Sequence, residues 1–164
     1  MNELVRIPAR QTMNALTLRL QDEIFAVEAE GVREILDLVP ITHVPNAPPF
    51  VNGLINVRGR VVPLADLRVV FGMKRPPPDV NTRIVVMEVD IAGEPTIVGT
   101  LADDVHEVTE IEAAAIEEAP RVGMRWRSDF VRGIGKRNGS FIIIPDLEQI
   151  FTSNIGNSMP AVSE

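Results

Sequence analysis

The sequence predicts an all-β protein made of two tandem small barrels packed on each other, and three observations carry that prediction. Short β-rich runs bounded by Gly, Pro, Asn or Asp recur along the chain. Long helical periods are scarce. One block is repeated without a gap 80 positions downstream (131 minus 51), matching Val51 with Val131, Gly53 with Gly133, Gly59 with Gly139, Asp66 with Asp146 and Phe71 with Phe151.

The strands follow in order. In "ALTLRLQ", Leu16, Leu18 and Leu20 alternate with Thr17, Arg19 and Gln21, the period of a strand buried on one face. "IFAVEA", "RVVPL", "RIVVMEVD", "TIVGTLAD" and "SFIIIP" are further runs of this kind. Each copy of the block places a tight reversal at its glycine and then a short helical turn. Asp66 caps a turn carrying Leu67, Val70 and Phe71, and Asp146 one carrying Leu147, Ile150 and Phe151. A weaker echo precedes each copy, "VREI" from Val32 and "VHEV" from Val105, here 73 positions apart (105 minus 32).

The linker is "GMKRPPPDVN", stiffened toward polyproline II by three prolines that cannot join a central strand. The boundary is placed there, giving barrels over 13–75 and 76–152, with mobile tails at 1–12 and 153–164. A barrel of about 70 residues is marginal alone, so the two pack together and leave a partly apolar groove at their junction.

Composition narrows the function. The chain has 164 residues and 45% hydrophobic content, enough for a real core. It has no cysteine, so there is no disulfide framework or thiolate metal site. A net charge of -7 and 4% aromatics argue against nucleic acid, leaving proteins as the expected partners. No apolar run reaches the roughly 18 residues of a membrane span, and Met1 to Gln11 is too polar for a signal peptide, so a soluble protein is expected.

Catalytic signals are weak. Asp103, Asp104, His106 and Glu107 crowd together in "ADDVHE", and on a strand Asp104 and His106 would share a face. With no second histidine nearby, a solvated acidic turn is the better reading than a metal site or a small hydrolase. His43, alone before a proline, reads as a surface or hydrogen-bonded residue. "VRGR" and "GIGKRNG" lack the helix and GK(S/T) of a phosphate loop. The expectation is no catalytic residue, no metal and no cofactor.

One position stands out. In the second copy the turn is Asn138-Gly139, the strongest short hairpin signal, because both residues of a type I′ turn need positive φ. The first copy has Arg58 in place of Asn138, flanked by Arg60, with Glu34 in the same repeat. Gly59 alone would satisfy a type II turn, which would relieve Arg58. Neither turn type asks for an arginine.

The residues Val32, Glu34, Ile35, then Ile41, Thr42, Pro45, then Gly53, Asn56, Arg58, Gly59, Pro63, Asp66, Leu67 and Arg68 resemble the CheW family of chemotaxis coupling proteins. The likeness extends over about Ala15 to Phe151. It implies two five-stranded SH3-like barrels and a cytoplasmic, stand-alone adaptor, recruited to membrane-associated arrays without inserting in the membrane. Such an adaptor joins the cytoplasmic tip of chemoreceptors to the CheW-like regulatory domain of the histidine kinase CheA. The resemblance implies a Glu34–Arg58 salt bridge and kinase docking through Val32, Glu34, Ile35, Pro45, Gly53 and Arg58. It implies a receptor groove between the barrels, with Val51, Leu54, Asn56, Val57 and Leu64 assigned to it. A coupling protein of a non-chemotactic chemosensory kinase fits the same residues. The sequence departs from the family at Ile143-Ile144-Pro145-Asp146, where the last strand is expected to end one residue early or lie on an edge.

Overall fold

The computed structural model describes residues 12–51, 53–120 and 128–156. Most of the two expected tails lies outside these residues. Thr12, however, opens the first strand, and Thr152–Gly156 forms a π turn whose Ile155 is buried in the core.

The described residues form β1 (Thr12–Leu20), β2 (Glu23–Glu28), β3 (Val32–Asp37), β4 (Thr42–His43), β5 (Gly53–Val57) and β6 (Arg60–Ala65). The helical turn α1 (Leu67–Val70) follows, then β7 (Arg83–Ile91), β8 (Glu94–Ala102), β9 (Asp104–Glu112), β10 (Val131–Arg137), β11 (Ser140–Pro145) and α2 (Leu147–Phe151). Asp66 and Asp146 cap the two turns, accepting from the backbone N–H of Arg68 and of Gln149. Between Met73 and Thr82, the proline linker carries neither strand nor helix.

The strands make two packed, SH3-like sheets, one ordered β10-β11-β2-β1-β9 and the other β3-β7-β8-β6-β5-β4. They do not divide at residue 75. The β1–β2 hairpin completes the sheet of β9 to β11, and the β7–β8 hairpin completes the sheet of β3 to β6. The reason is geometric: β11 runs parallel to β2, and β6 parallel to β8, and parallel neighbours need a long crossover connection. Between β2 and β11 the connection visits the other sheet, and between β6 and β8 it runs through α1, the proline linker and β7.

Three hairpin tips adopt left-handed backbone at both central residues: Arg58 (φ 53°) with Gly59, Ala92 (φ 52°) with Gly93, and Asn138 (φ 51°) with Gly139. These are the positive φ values of a type I′ turn, so Arg58 does not escape into type II. Ala92 holds the same conformation with only a Cβ, so the backbone does not select arginine.

The main core lies between the sheets. Leu18, Phe25 and Val27 from one meet Val85, Met87 and Val98 from the other. Each helical turn adds a ring: Phe71 lies 5.2 Å from Phe25, and Phe151 lies 5.1 Å from Phe50. A fully buried side chain of this size contributes about 1.5–3 kcal/mol. That burial spans the junction, while each sheet also keeps a smaller cluster of its own, Ile55, Val57, Val62 and Leu64 in one and Ala15, Ala26, Ile142 and Ile144 in the other.

Pro145 is not at an edge. It is the last residue of β11, an interior strand, and lies beyond Ile142 and Ile143, the two residues that pair with β2. The missing N–H therefore removes no bond from that ladder.

Candidate functional site

The edge strand β3 alternates, with Val32, Glu34 and Leu36 half-buried and Arg33, Ile35 and Asp37 exposed. The β5–β6 tip brings Arg58 to Glu34: Nε donates to Oε2 at 3.0 Å and Nη2 to Oε1 at 2.9 Å. Since β7 and β8 separate these elements in the sheet, the pair closes the end of the curled barrel. The Asn56 side-chain oxygen accepts from the Gly59 N–H at 2.8 Å and fixes the tip.

The Arg58 side chain is 78% exposed and that of Glu34 only 23%. Hydrogen bonds from Arg58 hold the Glu34 carboxyl below the usual glutamate range, and those to Glu34 raise Arg58 further. Solvent screens such a pair, so it adds little to fold stability. It presents a fixed guanidinium to solvent instead. Ile35, at 43% exposure, follows Glu34, and Val61, at 73%, follows the tip.

The structure distributes the predicted docking residues unevenly. Glu34 and Arg58 are in contact, and Ile35 and Pro45 are exposed. Val32 packs against the main core. Gly53 is buried, and a Cβ there would sit 2.5 Å from Cγ2 of Ile41, so the position requires close packing.

The residues assigned to the receptor groove do not form one surface. Leu54 and Asn56 line a shallow cleft of about 420 Å³ with Val39, Pro40, Thr42 and Val61. Val51 packs on the main core, and Val57 and Leu64 are buried in the six-stranded sheet's own core. The strand period explains this: on β5 and β6 these side chains point inward.

The cleft between the sheets, about 590 Å³, is lined by different residues, and it is acidic rather than apolar. Glu30, Glu88, Asp90, Asp146 and Glu148 are on its walls. Its arginines have partners, Arg33 with Glu88 and Arg132 with Glu28.

The segment "ADDVHE" is no solvated turn. Asp103 links β8 to the edge strand β9, which crosses into the other sheet. Its Oδ1 accepts from Nη1 of Arg68 at 2.8 Å and its Oδ2 from the Gln21 N–H at 2.7 Å. Arg68 also holds both Asp66 oxygens, through Nε at 2.9 Å and Nη2 at 3.0 Å. Burial works against the Arg68 charge, but Asp66 and Asp103 outweigh it and keep it above the ordinary arginine value. Sequence reading found Arg68 and Asp103 but missed their pairing across 35 positions, for which no local signal exists.

His106 lies 3.7 Å from Asp104, and among the described residues no group of three potential ligands is placed to hold a metal. Glu107 pairs instead with Arg137 at 3.3 Å. This is the second barrel's counterpart of Glu34 and Arg58, with the arginine one position before the tip.

Comparison with known proteins bears on the family and the fold. The model of the CheW-like domain matches residues 14–154. The chain is 33% identical over 138 residues to the chemotaxis protein CheW of Rhizobium meliloti, covering 84% of this chain and 86% of that protein. With CheW of Klebsiella aerogenes the identity is 30%, over 84% and 81% of the two chains. The crystal structure of the scaffolding protein TtCheW from Thermoanaerobacter tengcongensis superposes with a TM-score of 0.79 at 32% identity, covering 91% of this chain and 98% of that one. The chain belongs to the CheW-like domain family of chemotaxis scaffold proteins.

Proposed function

We propose that this protein is a non-catalytic adaptor that couples the cytoplasmic tip of chemoreceptors to a CheA-type histidine kinase at membrane-associated arrays. The Glu34–Arg58 pair carries the reading. A bidentate arginine is held at a left-handed tip, largely exposed and with apolar Ile35 and Val61 nearby in the chain, where local geometry favours Asn or Gly. A rigid guanidinium presented this way suits docking to a protein surface. The kinase's CheW-like regulatory domain takes this end of the first barrel, and the receptor tip takes the cleft between the sheets.

Calorimetric titration with the regulatory domain of a CheA from the same genome tests it. Micromolar binding that is lost in Arg58→Ala, with the variant's thermal melt unchanged, supports the assignment. Absence of binding by the unaltered chain, or equal loss of binding and of folding in the variant, overturns it.

A further inference from the structure

Each end of the molecule carries an arginine–glutamate pair at a left-handed hairpin tip, but the two arginines stand at different places in their hairpins. At the second end Arg137 belongs to the ladder, in the last β10–β11 pair with Ser140, so strand pairing fixes its backbone. At the first end the last β5–β6 pair is Val57 with Arg60, and Arg58 lies beyond it in the turn itself. Arg58 has no ladder partner to hold it.

One side chain takes over that task. Asn56, two residues before Arg58, accepts from the Gly59 N–H at 2.8 Å, a donor that a two-residue turn leaves outside the ladder. The bond ties the second residue of the turn back to β5 and sets the peptide plane between Arg58 and Gly59. On the 80-residue spacing the counterpart of Asn56 is Lys136, whose ammonium has donors only and cannot make this bond. The clamp therefore goes with the arginine that sits in a turn, and the arginine that sits in a ladder does without it. The pairs differ accordingly: Arg58 reaches both oxygens of Glu34, at 3.0 and 2.9 Å, whereas Arg137 approaches Glu107 at 3.3 Å. A side chain with the rotamer freedom of arginine, 78% exposed, keeps one direction only if the backbone that carries it is fixed.

We propose that Asn56 is a positioning residue for kinase docking, its side-chain carbonyl locking the Arg58–Gly59 turn in the orientation from which the guanidinium grips Glu34. This task differs from the receptor contact that the family resemblance implies for Asn56, which is not among the residues lining the cleft between the sheets. The kinase part rests on the adaptor reading above, whereas the action on Arg58 does not.

Asn56→Ala removes the acceptor and Asn56→Asp keeps it, and the full chain is measured with each. In the first experiment no partner is present, and the Glu34 carboxyl is followed by NMR through an acid titration. Because Arg58 holds Glu34 low, its midpoint is expected to rise toward the ordinary glutamate value in Asn56→Ala and to return in Asn56→Asp. A midpoint that stays low in Asn56→Ala overturns the proposal, since a clamp that only stabilises the turn does not reach Glu34. In the second, calorimetric binding of the kinase's regulatory domain is expected to weaken about fivefold in Asn56→Ala, the effect of one ordinary hydrogen bond, and to recover in Asn56→Asp. Binding of a receptor-tip fragment stays unchanged in both. Receptor binding lost with kinase binding intact makes Asn56 a receptor contact, and kinase binding lost equally in both variants makes its amide nitrogen a direct contact; either result overturns the proposal. If the unaltered chain binds neither partner, the adaptor reading falls and the kinase role with it, while the Glu34 titration still decides whether Asn56 positions Arg58.

Discussion

Arg58 grips both carboxylate oxygens of Glu34 from a backbone position at φ 53°, across the end of a barrel whose two intervening strands keep their elements apart. Arg58→Asn separates the contributions of backbone and guanidinium. Asn tolerates left-handed φ better than arginine, so the variant is expected to melt at or above the temperature of the unaltered chain. Its kinase-domain binding is expected to fall at least tenfold by calorimetry. A variant that keeps full binding would remove the guanidinium from the docking surface.

The same pair fixes a pH dependence. Glu34 is depressed, so its contribution is complete above the ordinary glutamate pKa and fades as pH falls through the lower folded value. Arg58 is raised, so its contribution is complete below the ordinary arginine value and fades only in strong alkali. Binding that depends on the pair is therefore expected to be flat from about pH 8 to about pH 5.5. It should weaken with added salt, because the pair is exposed. A binding midpoint near neutral pH would implicate another group.

Arg68 is the opposite case, with a side chain only 9% exposed. Arg68→Met leaves Asp66 and Asp103 partly buried without their cation. The expected loss is about 3 kcal/mol in urea denaturation. A change under about 0.5 kcal/mol, the scale of an ordinary surface substitution, would mean that water replaces the guanidinium freely.

Thr100 is 1% exposed on the interior strand β8, and among the described residues its hydroxyl is the buried side-chain polar atom lacking a hydrogen-bond partner. Thr100→Val keeps the shape and removes the desolvated hydroxyl. Stability is expected to rise by about 1 kcal/mol, or roughly 2–4 °C in Tm. A lower Tm would reveal a partner for the hydroxyl.

Gly53 and Gly133 occupy equivalent places but differ in what surrounds them. A Cβ at position 53 meets Cγ2 of Ile41, whereas at 133 it meets Cγ2 of Ile116 and also, at 3.0 Å, the carbonyl oxygen of Glu117. That oxygen is tied to the Ile134 N–H at 2.7 Å and cannot retreat. Gly133→Ala is therefore expected to lower Tm more than Gly53→Ala. The reverse order would show that the Glu117 bridge is dispensable.

The sequence by itself determined whatever depends on neighbours along the chain. The caps Asp66 and Asp146 and the glycine turns report local backbone preference and appear in the structure, whereas β1, read from Leu16, Leu18 and Leu20 as buried on one face, buries Ala15 and Thr17 on the other as well. The repeat and the odd place of Arg58 were legible because one copy can be read against the other, and the pairing of Arg58 with Glu34 because the residues resemble the CheW family. Tertiary structure alone decided which strands share a ladder, since a period of two says which side chains face together and not which strand lies beside them. It therefore decided the exchange of the β1–β2 and β7–β8 hairpins, the inward facing of Val57 and Leu64, and the pairing of Arg68 with Asp103. It also made the cleft between the sheets acidic, because its lining residues come from distant parts of the chain.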